Sequence, residues 1–359
     1  MSDVPNLTPR FAAQARDVPW PTTAWPRGVA ANHDELSGVV DRMFHDEELA
    51  ETIAVVIVQG GRVLVERYAG EQPYFDRPAE PITASSALLS WSMAKSVLHA
   101  VIGTLVDDGR LDPSTLAPVP EWSDPADPRH RITIADLLAM RDGLAFVESY
   151  EIGEPSHVID MLFGDGQHDM AHYTARLPLA HEPGSAFNYS SGTTNVLSRI
   201  VADVVGYGEH YEHYLRERLF DPIGMTSAVP TFDTSGVFVA SSLLHATALD
   251  FAKFGLLYLR GGEWDGRRIV SRDWVATAQV PRSLDEQSGQ HYSWQWWVTG
   301  DEFGTYWASG YEGQMISVVP ELDALVLRFG HTSDEHDDAI DVWRRSVLEA
   351  LTRSRQAPS

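Results

Sequence analysis

Apolar positions along this chain follow two different periods, and the switch between them divides it into three blocks. In the first, Leu36, Val39, Val40 and Phe44 recur at helical spacing, predicting a helix capped by Asp34 and running to about Leu49. Ile53–Gln59 and Arg62–Tyr68 are β-rich runs on either side of Gly60-Gly61, the pattern of a hairpin with a two-glycine turn. The second block is helical. Ser96 to Val106 is a mainly apolar run, so a helix entered at Ser92 should stop at Asp107-Asp108-Gly109. Thr133–Met140, Ser191–Val205, Tyr207–Leu219 and Thr247–Leu259 carry further helical periods and caps, and Gly261-Gly262 closes the block. Residues 141–187 are broken by Gly and Pro and should form loops and short helices over one face. In the third block Tyr292–Val298, Thr305–Ser309, Gln314–Val319 and Ala324–Phe329 are short strand-type runs. An amphipathic helix from Asp334 to about Arg353 and a frayed tail, Ser354–Ser359, follow.

Strands at both ends with helices between them predict an α+β fold. One antiparallel sheet, made from both ends and flanked by the terminal helices, carries an inserted all-helical lobe. The expected division is an N-terminal arm over 1–32, Pro-rich and holding Trp20 and Trp25, then an α/β lobe and a helical lobe. The α/β lobe takes 33–90 and 262–359, and the helical lobe 91–261. The cleft between sheet and helical lobe is the natural site.

Composition narrows the function classes. A length of 359 residues suits one or two tightly joined lobes, and 43% hydrophobic with 22% charged residues is ordinary for a soluble globular protein. The 51 acidic residues outnumber 27 basic ones, and a net charge of -24 repels nucleic acid and anionic membranes, so neither is expected as a partner. Zero cysteines exclude disulfides, thiolate metal sites and cysteine nucleophiles. The first thirty residues hold no apolar signal core and no run of eighteen apolar residues occurs, so cytoplasmic residence is expected.

One count changes the picture further. Only Lys95 and Lys253 are lysines; the other basic residues are arginines. Arginine keeps its proton at working pH, whereas a desolvated lysine can lose it. Lys95 follows Ser92 by three residues in Ser90-Trp-Ser-Met-Ala-Lys95, so on a helix the hydroxyl and amine share a face. A neutral amine there can act as base for a serine nucleophile. The helix N-terminus disfavours an ammonium, and its free N–H groups suit an oxyanion. Lys253, in the amphipathic segment Asp250-Phe-Ala-Lys-Phe, reads as structural.

Two further stretches add chemistry. Phe187-Asn188-Tyr189-Ser190-Ser191-Gly192 opens a helix after Pro183-Gly184, and a tyrosine held near a lysine can pass a proton to a leaving group. At Ala308-Ser309-Gly310-Tyr311-Glu312-Gly313-Gln314 a strand edge meets glycines, which let a backbone N–H approach a reacting carbonyl. Taken in this order, the three stretches resemble the serine β-lactamase and penicillin-recognising superfamily, over about Ile53 to Phe329. The resemblance implies a sheet with flanking helices plus a helical lobe, Ser92 as nucleophile, Lys95 as base and Tyr189 as proton relay. It also implies an oxyanion hole from the N–H groups of Ser92 and Tyr311, beside Gly310 and Ser309, and no cofactor or metal.

Departures from the family pattern redirect the substrate. Ser191 stands where the family often has Asn, and Ala308-Ser309-Gly310 stands where β-lactamases and D,D-peptidases carry Lys or His before Thr-Gly. The missing cation weakens a penicillin-like assignment. The pattern is then most similar to the branch of 6-aminohexanoate-dimer hydrolases and β-lactamase-type carboxylesterases. In that branch a tyrosine after Gly-Leu helps hold substrate, matched here by Tyr150 in Gly143-Leu144 through Glu148-Ser149-Tyr150. The implied function is hydrolysis of a small-molecule ester or amide through an acyl-enzyme. The alternatives are a β-lactamase or D-amino-acid peptidase, or a non-catalytic binding protein on the same scaffold.

Rival chemistries are thinner. His168 and His172 stand at i, i+4, the spacing of a zinc helix, with His157, His181 and Glu182 nearby in sequence. Asp169 takes the place of the usual Glu and the segment lacks a long helical period, so surface histidines are expected instead. His210 and His213 read as solvated helix residues. The Gly-x-Ser-x-Gly elbow of α/β-hydrolases is absent. Trp294, Trp296, Trp297 and Trp307 cluster near the third stretch, as sheet core or as walls of an acyl pocket.

Overall fold

Eight strands form one antiparallel sheet, built from the hairpin near the start of the chain and six strands near its end. The computed structural model describes residues 7–46, 49, 51–72, 78–151, 153–333 and 336–356. In chain order the strands are β1 (Thr52–Gln59), β2 (Arg62–Tyr68), β3 (Ser283–Leu284), β4 (His291–Tyr292), β5 (Trp297–Val298), β6 (Tyr306–Gly310), β7 (Gln314–Val319) and β8 (Ala324–Gly330). They lie in the order β3-β4-β5-β6-β7-β8-β1-β2. Strand β1 joins the two ends, with Val56 opposite both Leu327 of β8 and Glu66 of β2.

β1 shows why the sheet needs two covers. Its side chains alternate, and Ala54, Val56 and Val58 enter one core while Val55 and Ile57 enter another. Each fully buried Val or Ile contributes roughly 1.5–3 kcal/mol, so both faces must be shielded from water. One face is covered by α1 (His33–His45) and α5 (Asp337–Gln356), through Leu36, Val40, Trp343 and Val347. The other is covered by α4 (Ala248–Leu259) and by α2 (Met93–Asp107) and the helices around it, which include α3 (Ser191–Val205).

Several elements differ from their sequence patterns for local reasons. Helix α1 starts after Asn32, whose Nδ2 donates to Ala350 O and Glu35, and it ends at His45 rather than near Leu49. The Tyr292–Val298 run is broken into β4 and β5, because Gln295 adopts a left-handed φ of 57°. Helix α4, read from sequence as part of the helical lobe, packs directly on the sheet. A Cβ at its Gly255 would stand 3.0 Å from Ile316 and 3.2 Å from Leu325. Helix α5 continues through Ser354 to Gln356, where a frayed tail was expected; the expected start at Asp334 lies outside the described residues. The Tyr207–Leu219 pattern resolves into an α-helix, Glu209–Leu215, followed by a π-turn over Arg216–Phe220.

The Pro-rich arm packs on the body. Trp25 Nε1 donates to Leu249 O at 3.0 Å, Trp20 meets Trp264 at 5.1 Å, and Gly28 N–H donates to Val63 O. The described residues of 141–187 include two short α-helices, His157–Phe163 and Met170–Ala175, with a 3-10 turn, Asp165–His168, between them, over a small core of Phe146, Val158, Met161, Leu162 and Met170. No helix among the described residues is long and apolar enough to cross a membrane.

Candidate active site

The Ser90–Lys95 turn is pinned before the helix begins. Leu88–Leu89 pairs with Leu244–Ala246 in a three-stranded ribbon that also takes in Val229–Pro230, and Ser90 N–H donates to Leu244 O at 2.9 Å. Trp91 then takes a left-handed φ of 43°, a conformation disfavoured for a bulky residue, and Ser92 occupies the N-cap position of α2. Lys95 lies on the first turn with 1% of its surface exposed.

Lys95 Nζ is within 2.9 Å of Ser92 Oγ, 3.0 Å of Ser191 Oγ and 2.9 Å of Ser241 O. Burial pushes its pKa down from 10.5 to about 8, opposed by the negative charge of Glu148. Ser241 precedes the ribbon strand Leu244–Ala246 and is held by Asn195, whose side-chain amide donates to Ser241 Oγ and accepts from Ser241 N–H.

Tyr189 reaches the same point from the far side. Asn188 Nδ2 donates to the carbonyls of Leu144 and Phe146, tying its loop to the 141–150 segment, and Ser190 caps α3 by accepting from Thr193 N–H. The Tyr189 ring stacks on Trp297 at 5.5 Å, and Lys95 Nζ lies 4.9 Å from its centroid. Burial and Glu148 raise the pKa of its phenol, opposed by a hydrogen bond with Ser92. The phenol therefore holds its proton, which leaves Lys95 as the group able to be neutral near physiological pH.

Strand β6 brings the third stretch against the first. A Cβ at Gly310 would stand 2.5 Å from Ser90 O, so only glycine lets the strand end sit this close to the serine turn. Beyond it, Ser92, Tyr150, Tyr189, Trp297, Ser309, Gly310, Tyr311, Glu312 and Gly313 enclose a cavity of about 200 Å³. Tyr150 stacks on Tyr311 at 4.5 Å and supplies a second aromatic wall.

Of the residues singled out from sequence, Ser92, Tyr189, Ser309, Gly310, Tyr311 and Tyr150 meet at this cavity, with Lys95 directly behind. Ser191 does not join them on the substrate side. It is wholly buried and bridges Lys95 to Glu148, donating from Oγ to Glu148 Oε1 at 2.6 Å while its N–H donates to Oε2 at 2.7 Å. Glu148 also accepts from the Tyr150 hydroxyl at 3.0 Å, and sequence reasoning gave it no role. The signal available was its place two residues before Tyr150, on the same side of an extended segment. Of the tryptophans, Trp294 and Trp296 lie in the main core and Trp307 in the opposite core, while Trp297 walls the cavity.

The histidine pair is used otherwise. His172 Nδ1 meets Glu121 Oε1 at 2.6 Å, beside the Arg199–Glu121 ion pair, and His168 faces Thr234. Among the described residues no three His, Cys, Asp or Glu side chains gather as a metal would require. Lys253 is buried and paired to Asp250 at 2.9 Å, far along the chain from the serine turn.

Residues 40–351 match the family model described as Beta-lactamase. The chain belongs to the Beta-lactamase family. It is 28% identical over 352 residues to the 6-aminohexanoate-dimer hydrolase of Paenarthrobacter ureafaciens, covering 92% of this chain and 84% of that one. The fold is similar to that of a family VIII carboxylesterase, with a TM-score of 0.71 at 16% identity, over 91% of this chain and 99% of the other. It is also similar to a penicillin-binding protein homologue from Caulobacter crescentus, with a TM-score of 0.69 at 18% identity, over 91% and 99%. The antiparallel sheet with helices and the resemblance drawn from the three stretches therefore both hold for this member of the Beta-lactamase family.

Proposed function

We propose that this Beta-lactamase family chain is a serine hydrolase that cleaves an ester or amide of a small molecule through an acyl-enzyme on Ser92. The observation that carries the reading is a lysine amine 2.9 Å from the Ser92 hydroxyl, desolvated so that its pKa falls to about 8. Neutral Lys95 takes the Ser92 proton as Oγ attacks the carbonyl. The N–H groups of Ser92 and Tyr311 stabilise the tetrahedral oxyanion, a contribution typically worth 10²–10³ in rate per donor. Tyr189, still protonated, relays the proton from Lys95 to the leaving group, and water attacking the acyl-enzyme restores Ser92. Tyr150 and Trp297 hold the substrate between aromatic walls.

The relatives and the departures support this substrate class. Likeness to a 6-aminohexanoate-dimer hydrolase supports linear amides, likeness of fold to a carboxylesterase is compatible with esters, and Ala308 in place of a cation disfavours β-lactams. A cytoplasmic location belongs to the same proposal. The test is incubation with a chromogenic short-chain ester and with an active-site phosphonate. Turnover, a mass increase on the peptide bearing Ser92, and loss of both in Ser92→Ala are expected. A folded protein with neither turnover nor label would overturn the reading in favour of a binding protein on this scaffold.

A further inference from the structure

The cavity beside Ser92 has an unusual lining. Its walls are two stacked aromatic pairs, Tyr150 on Tyr311 and Tyr189 on Trp297, and among the described residues that line it Glu312 is the one carboxylate. Glu312 has a left-handed φ of 63°, which turns the chain sharply after Tyr311 and holds this side chain at the cavity. A hydrogen bond from His331 and the nearby positive charges keep its carboxyl below the usual carboxylate range, opposed by partial burial. Both hydrogen bonds that its side chain accepts from described residues, from Trp91 Nε1 at 3.4 Å and His331 Nδ1 at 3.0 Å, fall on Oε2. Oε1 accepts from neither of them.

We propose that this cavity selects substrates carrying a cationic amine close to the scissile carbonyl, with Glu312 reading the charge. Aromatic faces attract an ammonium or quaternary ammonium group, and a carboxylate beside them adds a directed ion pair. In a cavity of about 200 Å³ that also holds Ser92, a group against Glu312 sits only a few bonds from the attacked carbonyl. The overall charge of -24 draws cations toward the protein before any contact is made. Two positive groups stand nearby. Arg328 is fully buried under the turn and donates to the carbonyls of Glu312 and Gly313, and His331 bonds Glu312 Oε2 and is only half-buried. Both offset part of the Glu312 charge, Arg328 from beneath the turn and His331 on Oε2, and neither donates to Oε1.

The inference rests on the hydrolase reading and its test separates the two. Two matched pairs of esters place the charge on either side of the reacting carbonyl. β-Alanyl and butanoyl 4-nitrophenyl esters exchange an ammonium for a methyl in the acyl group. Butyrylcholine and 3,3-dimethylbutyl butyrate exchange a trimethylammonium for a tert-butyl in the leaving group. The expected result is a kcat/KM ratio of cationic to neutral ester of about tenfold or more in at least one pair, after division by the ratio of hydroxide-catalysed rates. In Glu312→Gln that ratio falls toward one. A ratio unchanged in Glu312→Gln overturns the proposal. So does an equal loss for both members of each pair, which would mark Glu312 as a support for Trp91 alone. Butyrylcholine binding by Ser92→Ala protein, measured by calorimetry with and without Glu312→Gln, gives a readout independent of turnover. If no ester is hydrolysed but that binding depends on Glu312, the hydrolase reading fails and the charge reading stands. If binding is indifferent to Glu312, the charge reading fails.

Discussion

Replacing Glu148 by Gln tests the electrostatics of the serine–lysine pair. Lys95 works as a base only when neutral, so kcat/KM for ester hydrolysis should rise with pH through its pKa. With that pKa lowered from 10.5 to about 8, about one molecule in four holds a neutral amine at pH 7.5, against about one in a thousand for an ordinary lysine. Glu148 opposes the lowering, because its negative charge stabilises the ammonium. Hydrogen bonds of 3.0 Å from Lys95 to Ser191 Oγ and 2.6 Å from there to Glu148 Oε1 put the two charges about 5.6 Å apart at most. At an effective dielectric constant of about 20–40, that separation is worth about 1.5–3 kcal/mol, or about 1 to 2 pH units. Glu148→Gln keeps an oxygen to accept from Ser191 and removes the charge. Its kcat/KM profile should therefore rise at a pH lower by about 1 to 2 units, measured with a neutral chromogenic ester from pH 5 to 10. A rising limb that stays in place, or moves to higher pH, would refute the electrostatic account of Lys95.

Other positions give sharper single outcomes. Tyr189→Phe keeps the ring on Trp297 and removes the hydroxyl, so kcat/KM should fall about 10²–10⁴-fold with little change in melting temperature. Gly310→Ala sets a methyl 2.5 Å from Ser90 O and 2.9 Å from Gln314 Cβ. It should cost about 1–3 kcal/mol in denaturant unfolding and slow phosphonate labelling of Ser92. Lys253→Met breaks a buried ion pair and leaves the Asp250 carboxylate with its two Ser227 hydrogen bonds but no counter-charge, at a cost of about 3–5 kcal/mol by thermal unfolding. Specific activity of the folded fraction should be unchanged, since Lys253 lies outside the site.

What could be read from sequence was what is local. Ser92 and Lys95 are three residues apart, so their meeting follows from helix geometry alone, and Gly60-Gly61 announces its hairpin for the same reason. Tyr189 and Gly310 came through resemblance, because nothing in their own neighbourhoods says that they converge on Ser92. Glu148 was hidden by distance: its partner Ser191 lies 43 residues away and the pairing depends on how residues 141–187 fold over the helices. Ser241 contributes a carbonyl, which any residue carries, so its side chain gave no signal. The tryptophans were mixed by one dihedral. The left-handed Gln295 interrupts the strand, so Trp297 reaches the cavity as the start of a new strand while Trp296 stays in the core against Tyr258.

The scarcity of lysine has a practical side. Both lysines are buried, Lys95 at 1% and Lys253 at 7% exposure, so the folded surface offers no lysine amine to an acylating reagent. Modification of either side chain must then wait for the structure to open, and its rate reports that opening. The two lie in different settings, one under the serine turn and one beneath the Asp250 pair, so a peptide map taken over time would give two clocks within one molecule. A gap between them would show the serine turn breathing independently of the rest of the fold.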